Sequence, residues 1–114
     1  MKGRRQFDAN IVEDKAFSRM CATTQALYFH LNMLTDDEGF TSNIETAMDN
    51  VPKCSERNLQ QLVNAGYIIQ FDTGIILITD FDSHNANLSN KQPTIYEEEK
   101  AQVEKYRRRW RLKE

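Results

Sequence analysis

Apolar positions recur along this chain with two periods. Leu27, Leu31 and Leu34, with His30 beside them, keep the i, i+3 or i+4, i+7 spacing of one buried helical face. Thr23 or Thr24 supplies a hydroxyl to cap the helix they predict, which is expected to end by Thr35. Asp36-Asp37-Glu38-Gly39 then reads as a polar break in which Gly39 can take a positive φ, with Phe40 as the next apolar anchor. Ser42 or Asn43 caps a short second helix carrying Ile44, Ala47 and Met48. Val51-Pro52 stops it, because the residue before a proline is pushed out of the helical region. Ser55 caps a third helix whose stripe is Leu59, Leu62 and Val63, leaving Glu56, Arg57, Asn58, Gln60, Gln61 and Asn64 outside; Gly66 closes it.

After that helix the pattern turns strand-like. Tyr67 to Phe71 and Ile75 to Thr79 are separated by Asp72-Thr73-Gly74, a short glycine-containing connection that signals a hairpin. Three helices followed by a hairpin is the order of a winged helix, a helix-turn-helix variant whose third helix is the reading helix and whose hairpin is the wing. Asp82 to Pro93, rich in Asn and Ser, reads as an extended connector. Thr94-Ile95-Tyr96-Glu97 has the form of a capping box opening a helix that meets no breaker before Glu114, with acids in its first turns and bases in its last. Tyr96, Val103, Tyr106 and Trp110 draw one narrow apolar seam along that helix. The predicted fold class is α+β, mostly helical: a winged-helix domain over 1–82 including an N-terminal arm, a connector over 83–93, and an amphipathic helix over 94–114.

Composition narrows the function classes. At 114 residues, 39% hydrophobic and 28% charged, the chain is the size of one globular domain. It holds no apolar run of the ~20 residues that span a bilayer, and Met1 to Phe7 lacks a secretory apolar stretch, so a cytoplasmic location and no membrane partner are expected. Fifteen basic against seventeen acidic residues argue against binding nucleic acid by charge over the whole surface. The charges are unevenly placed, however. Residues 23–50 carry Asp36, Asp37, Glu38, Glu45 and Asp49 with no Lys or Arg, whereas Lys2, Arg4 and Arg5 and the stretch Lys105 to Lys113 concentrate the cations at the two ends.

Candidate chemistry is sparse. Cys21 and Cys54 match no paired-ligand spacing and read as two buried thiols; His30 and His84 have no Cys or second His at metal spacing and read as structural. Asp36, Asp37 and Glu38 lack the alternating ligands of a calcium loop and read as a solvated turn. Without a phosphate-cradling glycine loop, a nucleophile motif or a metal set, no catalytic residue, metal or cofactor is assigned and the chain is not expected to be an enzyme. What remains is a set of groups able to meet DNA. Arg57, Asn58, Gln61 and Asn64 on the third helix can pair with base edges or backbone. Arg4 and Arg5 can reach phosphates from the N-terminal arm, and Arg107, Arg108, Arg109 and Arg111 add charge around Trp110.

Arg4-Arg5-Gln6-Phe7, Ala16-Phe17, Thr24-Gln25-Ala26-Leu27-Tyr28-Phe29-His30-Leu31-Asn32-Met33 and Asp36 to Phe40 resemble the amino-terminal domain of phage replisome organisers, DnaD-like replication initiation proteins of phages and prophages of Gram-positive bacteria. The likeness runs on through Leu59 to Ile69, Ile76-Leu77-Ile78, His84-Asn85 and Pro93 to Gln102. The resemblance implies a winged-helix domain that binds double-stranded DNA at a phage origin, oligomerises there and helps recruit helicase-loading machinery. The chain departs from the family after the wing, where Asp80-Phe81-Asp82 and Asn87 to Lys91 stand in place of a Trp and basic residues. The second helical domain with which family members continue is not among these residues. Those departures, with the acidic middle, support a second expectation. In it the chain is an accessory protein that binds a host replication or defence protein, such as a CRISPR effector, as inhibitor or adaptor. The seam of Tyr96, Val103, Tyr106 and Trp110 is the expected surface for that partner or for a homodimer.

Overall fold

The computed structural model describes residues 4–86, 88 and 90–104. Three helices lead: α1 (Asn10–Glu13), α2 (Lys15–Ser18) and α3 (Ala22–Met33). Then come β1 (Phe40–Thr41), α4 (Ile44–Asn50), α5 (Glu56–Asn64), β2 (Ile68–Gln70), β3 (Ile76–Ile78) and α6 (Phe81–His84). A last helix, α7, covers 97–104. The domain is α+β and mostly helical, with one antiparallel sheet in the order β1-β3-β2. No described helix is long and apolar enough to cross a membrane.

The three central helices lie where the apolar stripes predict them. Leu27, Tyr28 and Leu31 of α3, Ala47 of α4 and Leu59 and Leu62 of α5 are buried together in one cluster with Phe17, Ile68, Ile76 and Ile78. α3 starts earlier than the threonine caps imply: Cys21 holds the extended N-cap position and Thr24 lies inside the first turn, fully buried. Its hydroxyl reaches across to α5 instead of serving its own helix. Ser55 is the N-cap of α5, as its position predicts, and Asn58 closes the box by accepting the Ser55 backbone N–H at 2.9 Å.

The hairpin pairs Ile68 with Ile78, Ile69 with Leu77 and Gln70 with Ile76, and Gly74 turns it at φ +88°. A third strand, invisible to any period because it has two residues, adds Phe40 opposite Leu77 and Thr41 opposite Ile76. Gly39 enters this strand at φ +93°, and a Cβ there would lie 2.7 Å from Phe81 side-chain atoms. Only glycine satisfies both demands.

Ile75 to Ile78 form an unbroken apolar run because both faces of the sheet are covered. Ile76 and Ile78 face the helical core, while Phe40, Phe71, Ile75 and Leu77 form a second cluster capped by Val103 of α7, with Tyr96 packed at its edge.

The two cysteines are not both buried as expected: Cys21 is exposed because it holds the N-cap at the open start of α3, and Cys54 is half-buried. The start of the expected connector belongs to the body: His84 and Asn85 are buried beside Phe81. Asn85 Oδ1 accepts the Gln6 N–H and His84 Nδ1 accepts the Asp8 N–H, both at 2.9 Å, so this segment clamps the N-terminal arm. The acidic stretch is not a solvated turn. Asp36 Oδ1 accepts the N–H groups of Glu38 and Phe40, and its other oxygen takes the Thr94 hydroxyl. Asp37 pairs with Arg5 at 3.3 Å and accepts the Gln92 N–H. Glu38 accepts the Thr94 N–H at 2.6 Å and pairs with Lys100 at 2.7 Å. Thr94 does not cap α7, which begins at 97: its hydroxyl accepts the Tyr96 N–H in the turn before the helix, and the amide that a capping box reserves for Glu97 goes to Glu38. Three carboxylates in a row thus gather Arg5 of the N-terminal arm and the stretch 92–100 onto the loop before β1.

Candidate nucleic-acid interface

α5 is amphipathic in a strict sense. Leu59 and Leu62 are buried against α3, and Arg57, Gln61 and Asn64 are exposed. Arg57 makes no ion pair among the described residues. Lys53, in the turn leading into the helix, adds an exposed cation at φ +62°. Gln60 is anchored sideways, its amide donating to Gln70 Oε1 at 3.3 Å and to Glu56 Oε1 at 3.5 Å, which ties the helix to β2.

Asn58, expected outside, is only 8% exposed. Its Oδ1 holds the Ser55 backbone and its Nδ2 donates to Thr24 Oγ1 at 3.0 Å, so neither end of the amide faces solvent partners. Gln61 is exposed, but its Oε1 accepts the Thr24 hydroxyl. The sequence reading missed Thr24 as the link between these residues. The signal was present: Thr24, Leu27 or Tyr28, and Leu31 share one face, so Thr24 is a polar group inside an apolar stripe.

The N-terminal arginines divide. Arg4 is exposed. The Arg5 side chain is 9% exposed, donates to Thr35 O at 2.8 Å, pairs with Asp37 and lies 5.4 Å from the Phe81 ring centroid. It fastens the arm and has no face left for a phosphate. Tyr96 and Val103 pack on the chain's own sheet, which leaves neither as an open seam. Tyr106, Trp110 and Arg107, Arg108, Arg109 and Arg111 lie outside the described residues.

The tip of the hairpin is occupied as well. Thr73 donates its hydroxyl to Glu99 Oε2 at 2.6 Å, so α7 lies along the hairpin and brings Glu97, Glu98 and Glu99 with it.

Ionisable groups elsewhere serve the fold. Burial holds His84 below its ordinary pKa; with Nδ1 accepting from Asp8, its Nε2–H donates to Tyr28 Oη at 2.8 Å. Burial, reinforced by the Asp14 carboxylate that accepts its proton at 2.6 Å, pushes the Tyr67 phenol up to about 12. A groove of about 320 Å³ beside β1 is lined by Leu34, Phe40, Pro93, Ile95 and Tyr96 among others, and its one carboxylate, Asp36, is already bound to backbone and Thr94. Among the described residues no group of three or more His, Cys, Asp or Glu side chains is placed to hold a metal ion. No protein-family model matches the chain, and no curated protein or solved structure matches it either.

Proposed function

We propose that this chain is a winged-helix DNA-binding protein related to phage replisome organisers, acting without catalysis at a replication origin in a bacterial host. The observation that carries the reading is the order α3-β1-α4-α5-β2-β3 on a β1-β3-β2 sheet, with α5 turning Arg57, Gln61 and Asn64 outward. A helix of this kind enters a major groove, and a polar outer face whose only charges, Glu56 and Arg57, offset one another suits base edges better than bulk phosphate attraction. Arg57 and Asn64 contact the groove or its backbone, Arg4 and the arginines at 107–111 supply phosphate contacts, and Asn58 and Arg5 position the elements that carry them. The test is retention of random and phage-origin duplexes by the full chain at low and moderate salt. Salt-sensitive binding is expected, each phosphate contact adding about 0.9 to the slope of log K against log salt, and Arg57→Ala weakens binding about ten-fold. No retention at low salt overturns the reading.

One observation favours a second reading, in which the same shell recognises a host protein. The wing is bonded through Thr73 to an acidic helix, which denies that side to phosphates. Capture of a host replication or defence protein by a chain that retains no duplex is the outcome that selects it.

A further inference from the structure

The Thr24 hydroxyl does more than fill a polar gap. Its hydrogen bonds can be assigned in order, because the chain of partners begins at a group with one role. The Ser55 backbone N–H can only donate, and it donates to Asn58 Oδ1 at 2.9 Å. The other end of that amide, Nδ2, therefore faces Thr24 Oγ1 at 3.0 Å and donates to it. Thr24 Oγ1 has accepted, and its single proton goes to the neighbouring Gln61 Oε1. Cys21 Sγ lies 3.2 Å from the same hydroxyl, but a thiol sulfur is a weak acceptor beside an amide oxygen. Gln61 is thus held with its oxygen turned in toward α3 and its Nε2–H2 turned out, on an exposed residue of the helix proposed to enter the groove.

From this we infer that Gln61 is a specificity-determining residue that presents donors only, and that it selects a guanine. The inference rests on the DNA-binding reading above. A free glutamine reads adenine by accepting from N6 and donating to N7, which needs both ends of its amide. With Oε1 held by Thr24, that pairing is half lost. Guanine offers N7 and O6, two acceptors side by side, and matches two outward N–H groups; cytosine offers its N4 donor and opposes them. Thr24, 0% exposed and touching no DNA, acts as the positioning residue that fixes the polarity.

The test begins with selection of preferred duplexes by the full chain from a random pool, followed by competition at the one base pair whose preference Gln61→Ala abolishes. Guanine is expected there, about ten-fold over cytosine and several-fold over adenine. Thr24→Val removes the hydroxyl at nearly constant shape and is expected to raise adenine to parity at that position alone, while Thr24→Ser restores guanine. Should Thr24→Val fail to fold, Gln61→Glu on the surface still decides: it keeps an oxygen for Thr24, turns an acceptor outward, and is expected to move the preference to cytosine. The heteronuclear NOE of the Gln61 side-chain amide in DNA-free protein reads the lock separately, rigid in the parent and in Thr24→Ser. Adenine at the Gln61 position, or an unchanged preference in Gln61→Glu, overturns the inference and leaves DNA binding standing. A mobile Gln61 amide in the parent overturns the lock itself. A rigid amide in a chain that retains no duplex at low salt overturns the DNA reading and the guanine preference with it.

Discussion

On one side of the sheet, Ile68, Ile76 and Ile78 meet α3, α4 and α5 and join a cluster that extends to Phe17, Tyr67 and Phe81. On the other side, Phe40, Phe71, Ile75 and Leu77 meet one helix, which contributes Val103, with Tyr96 just before it packed at the edge. The helical side holds chiefly by burial of large side chains, among which Asn58 and Thr24, and His84 and Tyr28, are hydrogen-bonded. The α7 side adds a polar clasp: Asp36 and Glu38 on Thr94, Glu38 on Lys100, and Glu99 on Thr73. Hydrophobic free energy scales with area removed from water, so a helix offering one buried valine and one half-buried tyrosine needs directional bonds to fix where it lies. The two sides therefore divide the work: one makes the domain fold, and the other orients an appended element.

Truncation of one buried side chain on each side tests that division. Leu62→Ala on the helical side empties a fully buried position and is expected to cost about 3 kcal/mol, seen as a lowered urea midpoint. Val103→Ala removes a smaller group from a thinner layer and is expected to cost about 1 kcal/mol, with hydrogen exchange rising in α7 and little changed in α3. Equal losses from the two variants would mean that the sheet has one core and not two.

Between the sides stands Gly39, where the loop enters β1. Gly39→Ala meets both a positive φ and the Phe81 side chain, and is expected to cost about 2 kcal/mol by the same unfolding measurement. The sequence makes the glycine legible, because a lone Gly after three acids marks a turn. It also makes the helical side legible, because Leu27, Leu31, Leu59 and Leu62 keep a helical period, and it makes the hairpin legible through Asp72-Thr73-Gly74. The other side is not legible, for a physical reason. β1 is two residues long and has no period, and the carboxylates of Asp36, Asp37 and Glu38 bond to groups 32 to 62 positions away in the chain, which local patterning does not encode. The same holds for the candidate interface. Which helix faces out could be read from its stripe, but the inward turn of Asn58 and the capture of Gln61 depend on Thr24, 34 and 37 positions earlier.

Acid separates the two sides by the pH at which each weakens. Burial lowers the His84 pKa, with Asp80 and Asp8 nearby opposing the shift, so the unfolded chain takes up this proton first, near 6.5. Protonation then favours unfolding: the His84 contribution is complete above about 6.5 and is lost as pH falls below it, when Nδ1 can no longer accept the Asp8 N–H. For Glu38, burial acts to raise the pKa but Lys100 and the Thr94 N–H outweigh it, leaving it below the usual 4.5. Its contribution is therefore present above about 4.5 and lost only as pH falls through the folded value. Urea midpoints are expected to decline in two stages, the first below pH 6.5 from the arm and α6, the second in the carboxylate range with α7 exchange rising. A single decline confined to the carboxylate range would remove His84 from the account.

The clasp itself carries the smallest effect. Glu38→Gln keeps an oxygen for the Thr94 N–H but breaks the 2.7 Å pair with Lys100, whose side chain is 43% exposed. Solvent screens a pair of that exposure, so the loss is expected to stay below about 1 kcal/mol and to shrink further at high salt. Orientation is affected more than stability, since the same carboxylate holds Thr94 just ahead of α7 and Lys100 in its first turn. Amide exchange in 97–104 is expected to rise in Glu38→Gln while the urea midpoint scarcely moves, whereas Val103→Ala moves both. If Glu38→Gln lowers the midpoint as far as Val103→Ala does, the polar bonds carry the stability of that side and the apolar contact is secondary.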